Sequence, residues 1–278
     1  MRRAHAVLSD PSKMKFLPLI ACFASLVASH GVAYAQDQDR DGLHLALGAA
    51  GVYRPEYKGS KDYEAAPFPF IGFRYGRGDF YVSLEGRALR ANILPGGWLE
   101  AGPIVSYERG RDDDIKNLAV RRLGEIDNAV NAGVFARKRF DLAGGDLKIG
   151  GEVLTDTGKV HEGVLAEFGL DYDRPLNDRW SAGASLSTTW ADRKYMQTYY
   201  GVSGAGSLAS GLSPYAADKG IENVEAGATL RYRINDRWSA LANASYRRLV
   251  DSAADSPIVA RDGSADQGQF ALALFYSF

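Results

Sequence analysis

The sequence predicts an all-β protein, a single closed antiparallel transmembrane β-barrel of about twelve strands that follows a cleaved signal peptide. Three observations support this prediction. Apolar and polar residues alternate along many segments, as in strands with one face in lipid and the other in a polar interior. One such segment carries a tryptophan at each end, and the final segment alternates up to a carboxyl-terminal phenylalanine. The barrel is predicted to be closed because lipid cannot satisfy an exposed strand edge.

The amino-terminal residues have the pattern of a secretory signal peptide. Two lysines precede an apolar run, and Ala33-Tyr34-Ala35 provides a small-x-small cleavage site. We therefore expect residues 1–35 to be removed and residues 36–278 to form the barrel, with Met14 as an alternative start of the chain. The single cysteine, Cys22, lies within the signal, so the mature chain is predicted to contain no disulfide.

The composition excludes two classes of protein. After residue 35 no apolar run approaches the roughly 18 residues that a membrane helix needs, which excludes a helical membrane protein. Charged residues make up 24% of the chain and acidic residues (34) slightly outnumber basic ones (33), with no basic stripe. Nucleic acid is therefore not expected as a partner.

The first half of the barrel is predicted from six alternating segments. The first places leucines on one face. Pro67 and Pro69 cannot donate a hydrogen bond within a ladder, so they confine the start of the second to a bulge or an unpaired position. Glycine-rich residues 76–79 and 143–145 are predicted to form tight hairpins, and the charged residues 109–128 a long loop. The six segments are residues 42–53, 68–75, 80–90, 98–107, 130–140 and 146–154.

The second half is predicted from five further segments, four of which have aliphatic residues on one face and polar residues on the other. In one of them Trp180 and Trp190 are ten residues apart, about 33 Å along a strand. In a tilted strand this distance spans about 25 Å, the height of the apolar band between two aromatic girdles. We predict a girdle of Trp180, Trp190, Trp238 and Tyr246. The five segments are residues 163–172, 180–190, 222–234, 238–248 and 267–278.

These eleven segments imply a further strand, because bacterial single-chain barrels have an even number. One strand is therefore either hidden or split, and residues 90–94 and 195–203 are the candidates. We expect twelve strands, with ten and fourteen as alternatives.

The connections predict which end of the barrel faces the periplasm. Asn177-Asp-Arg-Trp-Ser-Ala182 recurs at residues 235–240, and in both copies Asn-Asp is predicted to turn a hairpin. Such short turns are typical of the periplasmic end, and the long polar loops 192–220 and 251–266 are typical of the outer end.

The final strand is predicted to close the barrel and to direct its assembly. Phe270, Leu272, Leu274 and Tyr276 share the face expected to contact lipid, and Phe278 is expected at the periplasmic rim. A chain end that the barrel-assembly machinery must recognise explains why the protein ends on an aromatic residue. Tyr276 and Phe278 are therefore the predicted assembly signal.

Charged residues on the polar strand faces are predicted to line the lumen. They could set the selectivity of a channel, or pair with one another and fill a narrow barrel; the sequence leaves both interpretations open. The predicted lumen charges are Glu152, Glu167, Arg231 and Arg233.

The sequence offers little catalytic chemistry. His161 lies near Asp156 in a predicted outer loop, but no nucleophile motif accompanies the pair. Residues 112–114 are three aspartates without the spacing of a calcium loop, and no metal-ligand spacing is present. We therefore predict no catalytic residue, no metal, no cofactor and no enzymatic activity.

Short segments in a characteristic order resemble the MipA/OmpV family of Gram-negative outer-membrane proteins. The segments include Tyr57-Lys-Gly-Ser60, Pro67-Phe-Pro69, Gly102-Pro103, Gly110-Arg111, Tyr200-Gly-Val-Ser203, Ser210-Gly-Leu212, Ser256-Pro257 and Tyr276-Ser-Phe278.

The resemblance implies residence in the outer membrane, with the lipid bilayer and the barrel-assembly machinery as partners. One family member is described as a scaffold that joins a lytic transglycosylase to a penicillin-binding peptidoglycan synthase, and others resemble adhesins or porin-like proteins. A scaffold for peptidoglycan-remodelling enzymes is therefore the leading hypothesis, with a small-solute channel and an outer-loop adhesin as alternatives.

Overall fold

A computed structural model describes residues 41–278, which form one closed barrel of twelve antiparallel strands. The predicted fold is thereby confirmed, whereas the predicted signal peptide and its cleavage site lie outside the described residues. The strands are β1 Gly42–Pro55, β2 Tyr63–Arg77, β3 Phe80–Glu85, β4 Ala88–Asn92, β5 Glu100–Glu108, β6 Ala129–Leu142, β7 Gly145–Asp156, β8 Val164–Pro175, β9 Trp180–Ala191, β10 Gly220–Arg233, β11 Trp238–Leu249 and β12 Asp266–Ser277.

The helices of the described chain are short and lie in the connections between strands. None of the helices in residues 41–278 has both the length and the apolar character to cross a membrane. They are α1 Leu118–Arg121, α2 Arg193–Tyr200, α3 Gly204–Ser210, α4 Asp251–Ala254 and α5 Pro257–Ala260.

The barrel closes where the last strand pairs with the first. The β1–β12 ladder runs from Ala46 opposite Ser277 to Tyr53 opposite Phe270. Beyond it, the backbone N–H of Phe278 donates to the carbonyl of Leu45 at 2.9 Å. The chain end is thus fixed against the first strand, which removes the unpaired edge that lipid could not satisfy.

The two ends of the barrel differ in the length of their connections. At the short-turn end, the side chain of Asn177 accepts hydrogen bonds from the backbone N–H groups of Arg179 (2.9 Å) and Trp180 (3.0 Å). Asn235 makes the same bonds to Arg237 and Trp238, so the sequence repeat is also a structural repeat. The other end carries residues 56–62, 109–128, 157–163, 192–219 and 250–265, which together we call the cap.

Three predicted elements are corrected by the structure. Residues 80–90 form two strands, because Gly86 adopts a positive φ of 59° and turns the chain. The split strand, with β4 overlapping the candidate residues 90–94, therefore supplies the twelfth strand. The other candidate, residues 195–203, is not a strand, since Asp192 caps helix α2 by accepting from the N–H of Tyr195. Strand β2 begins at Tyr63, before the two prolines.

Strands β3 and β4, which together replace the predicted single strand 80–90, are short. Strands β3 and β4 have six and five residues, whereas their neighbours β2 and β5 have fifteen and nine. The barrel wall is consequently lower at this hairpin than elsewhere.

Candidate functional site

The cap closes the long-loop end of the barrel from inside. Helix α2 buries Tyr195, Met196 and Tyr200 completely, and Tyr199 is 4% exposed. The helix also buries apolar residues of its neighbours, such as Leu249 and Val259. Residues 192–219 therefore pack into the barrel mouth as a small apolar core and do not extend into solvent.

A largely buried lysine, with its side chain 16% exposed, lies beneath this core and joins three parts of the chain. The Lys58 ammonium lies 2.7 Å from the Glu108 carboxylate at the end of β5 and 3.2 Å from the Glu222 carboxylate on β10. It also hydrogen-bonds to the Tyr195 hydroxyl and lies over the Tyr199 ring. Two buried carboxylates thus share one cation, which holds the loop 56–62 against the cap.

Tyrosine hydroxyls complete the hydrogen bonding around Glu222. Tyr200 donates to the Glu222 carboxylate at 2.7 Å, and Tyr195 lies 3.3 Å from the same oxygen. Burial raises the pKa of both tyrosines well above the ordinary value. Both hydroxyls are therefore protonated at physiological pH and can act as donors to the carboxylate.

Ion pairs span the middle of the lumen. Arg137 on β6 binds Glu85 on β3 at 3.0 Å and also contacts Glu100 on β5. Its guanidinium donates to the Tyr81 hydroxyl at 2.7 Å, and that hydroxyl donates to Glu100 at 2.7 Å. These charges bridge several strands at once and occupy the space that a water-filled channel would need.

The predicted lumen charges occupy three kinds of position. Glu152 on β7 faces inward and pairs with Arg90 on β4 at 2.7 Å. Glu167 on the adjacent strand β8 is the ladder partner of Glu152. Arg231 faces inward from β10. Arg233 does not lie in the lumen; it is exposed at the short-turn end, where its guanidinium donates to the carbonyl of Asp178.

A small cavity remains behind the outer part of the wall. Its volume is about 60 Å³, enough for a few water molecules. Basic side chains dominate the charged part of its lining: Arg54, Lys58, Arg87, Arg109 and Arg247, against Glu108 and Glu225. Arg247 and Glu225 form an ion pair at 2.5 Å.

The predicted girdle residues lie on the outward face at both ends of the wall. Trp180 and Trp238 open β9 and β11 at the short-turn end, where their rings pack on Tyr232 and Tyr276 at 4.6 and 5.4 Å. Trp190 and Tyr246 lie towards the other end of the same two strands.

The proposed assembly signal, Tyr276 and Phe278, lies among the aromatic rings at the short-turn end. The Tyr276 ring packs against Phe278 at 4.7 Å, and Phe278 is 71% exposed. On the same strand, Phe270, Leu272 and Leu274 are 44–55% exposed on the outward face.

His161 is not arranged as a catalytic residue. Its ring is 2% exposed, and its Nε2 lies 2.9 Å from the Asn131 side-chain oxygen, while its Nδ1 accepts from the N–H of Gly163. Asp156 contacts backbone N–H groups of the loop, including that of His161 itself. Both ring nitrogens are therefore committed to the fold. Among residues 41–278 no group of three or more His, Cys, Asp or Glu side chains is placed to hold a metal ion.

Comparison with known proteins gives the family. The family model described as MltA-interacting protein MipA matches residues 47–278. This chain belongs to the MipA family. The putative outer membrane protein YiaT of Escherichia coli strain K12 is 32% identical over 232 residues, which cover 79% of this chain and 86% of that protein. The MltA-interacting protein of the same strain is 26% identical over 263 residues, covering 88% and 94%.

Solved structures include a less similar barrel. The NanC porin has 10% sequence identity and a TM-score of 0.47, with 83% of this chain and 98% of that chain covered.

Membership of the MipA family places this barrel in the outer membrane. Its short-turn end is accordingly the periplasmic end and its cap lies at the outer end. Five of the eight segments that resemble the MipA/OmpV family lie in this cap, namely residues 57–60, 110–111, 200–203, 210–212 and 256–257. Ser256 donates to the carbonyl of Tyr200 at 2.6 Å, and the Gln267 side chain binds the backbone of Gly59 and Ser60 at 2.9 and 2.8 Å.

Sequence reasoning missed the Lys58 cluster in this MipA-family barrel. The sequence predicts a polar loop over residues 192–220, although Tyr195, Met196, Tyr199 and Tyr200 recur at helical spacing. That spacing was the available signal for a buried helix within the long loop. The partners of Lys58 could not be predicted, because they lie 50 and 164 residues away along the chain.

Proposed function

We propose that this protein is a non-enzymatic scaffold of the outer membrane that holds peptidoglycan-remodelling enzymes at its periplasmic end. The observation that carries the proposal is the set of contacts inside the barrel, where Arg137 and Arg90 pair with carboxylates and the cap buries its own tyrosines. A barrel filled in this way is suited to presenting a surface and poorly suited to passing solutes. The name of its relative, MltA-interacting protein, supports a protein partner of this kind.

The longest periplasmic connection of the described chain supplies the best candidate contact. Residues 93–99 join β4 to β5, and within them Ile93 and Trp98 are 58% and 63% exposed. Lys138 lies over the Trp98 ring at 5.6 Å, so this aromatic residue is held in place without being buried. Exposed, oriented tryptophans are frequent hot spots of protein interfaces.

Capture from solubilised envelope tests this proposal. The tagged mature protein is expected to recover a lytic transglycosylase or a penicillin-binding peptidoglycan synthase. The Trp98→Ala variant is expected to weaken binding of the recovered enzyme by about 2 kcal/mol, roughly thirtyfold in Kd. Binding can be measured by titrating the purified enzyme against the barrel in nanodiscs.

The matched control is Leu208→Ala, which removes an apolar side chain that is 90% exposed in the cap at the outer end. It is expected to leave binding unchanged. Repeated failure to capture either class of enzyme would refute the scaffold. Loss of binding in the Leu208 variant instead of the Trp98 variant would move the contact to the outer face.

A further inference from the structure

The repeated turns at the periplasmic end form the same group of side chains twice on the outward face of the wall. In each copy the tryptophan that opens a strand is the ladder partner of a tyrosine on a neighbouring strand. The two groups lie on four consecutive strands, β9 to β12, about 10 Å apart across the sheet. We call them the rim units: Arg179, Trp180 and Tyr232 form the first, and Arg237, Trp238 and Tyr276 the second.

The arginine of each turn is held against the tyrosine of its unit. Arg179 Nη1 donates to the Tyr232 hydroxyl at 3.3 Å, and Arg237 Nη1 donates to the Tyr276 hydroxyl at 3.0 Å. The tryptophan rings pack on the same two tyrosines at 4.6 and 5.4 Å. Each guanidinium therefore lies beside a pair of aromatic rings, in the same arrangement in both units.

The tyrosines place both arginines on the lipid side of the rim. Residues two apart in a strand share a face. Leu230, two residues before Tyr232, is 41% exposed on the outward face. Leu274, two residues before Tyr276, is 46% exposed there. Both tyrosines are penultimate residues of their strands at the short-turn end, which is the level of the lipid headgroups in the periplasmic leaflet.

The charge of the two arginines is not neutralised by a contact. Within residues 41–278 neither guanidinium forms an ion pair with a carboxylate; each donates to a hydroxyl and keeps further N–H donors. The acids nearest in the chain, Asp178 and Asp236, are exposed turn residues, and Phe278 carries the terminal carboxylate. Arg233, whose guanidinium donates to the carbonyl of Asp178, adds a further positive charge beside the first unit.

This combination of groups matches an anionic phospholipid. The forked donors of a guanidinium fit phosphate oxygens, and tryptophan and tyrosine place an apolar ring and a polar tip at the membrane interface. Beyond each unit the outward face continues into exposed aliphatic side chains that accept acyl chains. A zwitterionic headgroup would bring its own cation beside the arginine, so a lipid with net negative charge is favoured.

We propose that each rim unit binds the phosphate of one anionic phospholipid in the periplasmic leaflet. The phosphate lies on the guanidinium of Arg179 or Arg237, and the acyl chains lie along the wall beside Leu230 or Leu274. The repeated sequence thus provides a repeated lipid contact in addition to turning two hairpins. This inference does not depend on the scaffold function.

Quenching of tryptophan fluorescence by brominated lipids tests the proposal, because Trp180 and Trp238 are themselves part of the rim units. W98F with W190F leaves these two as the only tryptophans among the four of the chain. The matched control, W98F with W180F and W238F, leaves only Trp190, at the other end of β9 on the same face. Each protein is reconstituted in phosphatidylcholine nanodiscs with a minor fraction of chain-brominated phosphatidylglycerol or chain-brominated phosphatidylcholine.

Quenching of Trp180 and Trp238 is expected to be about threefold stronger with the anionic lipid, because an arginine near the membrane surface attracts such a lipid. Quenching of Trp190 is expected to be equal for the two lipids. Heat-modifiable electrophoretic mobility verifies that each variant is folded.

Arginine variants in the W98F, W190F background identify the groups responsible. R179Q with R237Q is expected to abolish the preference. R179K with R237K is expected to retain part of it, because an ammonium keeps the charge and loses the fork. R248Q is the control: it removes an outward arginine at the outer end that Asp266 already pairs at 2.6 Å, and it should leave the preference intact.

Equal quenching by the two lipids at Trp180 and Trp238 would overturn the proposal, even if the arginine variants failed to fold. A preference that persists in the folded R179Q, R237Q protein would also overturn it. If those two substitutions weakened capture of a periplasmic enzyme and left quenching unchanged, the arginines would belong to a protein contact and not to a lipid site. Millimolar inorganic phosphate is expected to leave the preference intact, because the acyl chains hold the lipid in the bilayer. Loss of the preference in phosphate would show that the units take the free anion.

Discussion

Lys58 is the residue on which the closed outer end depends most. Its side chain is 16% exposed, and those of its partners Glu108 and Glu222 are 7% and 3% exposed. Removing this cation leaves the buried Glu222 carboxylate without its ion pair, and leaves Glu108 with the longer contact to Arg87 at 3.6 Å. The same side chain also contacts the Tyr195 and Tyr199 rings of helix α2, so it holds residues 56–62 of the cap against residues 192–219.

Lys58→Ala is therefore expected to lower the free energy of unfolding by about 3–5 kcal/mol, because it leaves the buried Glu222 carboxylate without its ion pair. Urea titration of the refolded protein, followed by tryptophan fluorescence, measures this loss. Lys61→Ala, in the same loop but exposed, is the control and should change stability by less than about 0.5 kcal/mol. Equal losses in the two variants would show that the cluster does not hold the cap.

His161 gives the cap a dependence on pH. Burial lowers the pKa of His161 below its ordinary value, so the folded protein binds this proton less readily than the unfolded chain. Stability from the neutral ring is complete above the unfolded pKa of about 6.5 and is lost as the pH falls through that value.

We expect His161→Gln to lose less stability than the parent protein between pH 7.5 and pH 5.5. Urea midpoints at the two pH values measure the difference. If the His161 variant and the parent protein lost equal stability, the buried imidazole would not be the titrating group.

At the scale of elements, alternation predicted the strands of the barrel wall well, and it failed where pairing overrides local preference. The prolines of β2 suggested a later start, yet the strand begins at Tyr63 because the proline nitrogens face an edge without a neighbour. In the segment 80–90 the outward apolar positions change from even (Phe80, Val82) to odd (Leu89), and Gly86 with its positive φ turns the chain between them. The charged loop 109–128 carries buried Ile115 and Val120, which pack on distant cap residues.

The terminal element provides a test of barrel assembly. Deletion of Phe278 is expected to lower the amount of heat-modifiable barrel in the outer membrane, because it removes the proposed assembly signal and the N–H bond to Leu45. Phe278→Tyr keeps an aromatic terminus and should assemble normally. Cell fractionation and electrophoresis with and without heating measure both. Normal assembly of the deletion variant would eliminate Phe278 as part of the signal.

For the whole molecule, the two faces of the wall have separate roles. The outward face meets lipid with aliphatic residues between two groups of aromatic rings, and the inward face is held together by ion pairs such as Arg137–Glu85 and Arg90–Glu152. The sequence predicted that charges would line the lumen. It could not predict how they pair, because each partner belongs to a strand distant in the chain. That pairing distinguishes a filled barrel from a channel.

Planar-bilayer recording of the purified barrel tests the central claim, that side chains and cap fill the barrel, most directly. Folded protein, verified by heat-modifiable mobility, is expected to show no steady conductance above the background of the bilayer. A stable, reproducible open-channel current from the folded protein would contradict the claim and favour the channel over the scaffold.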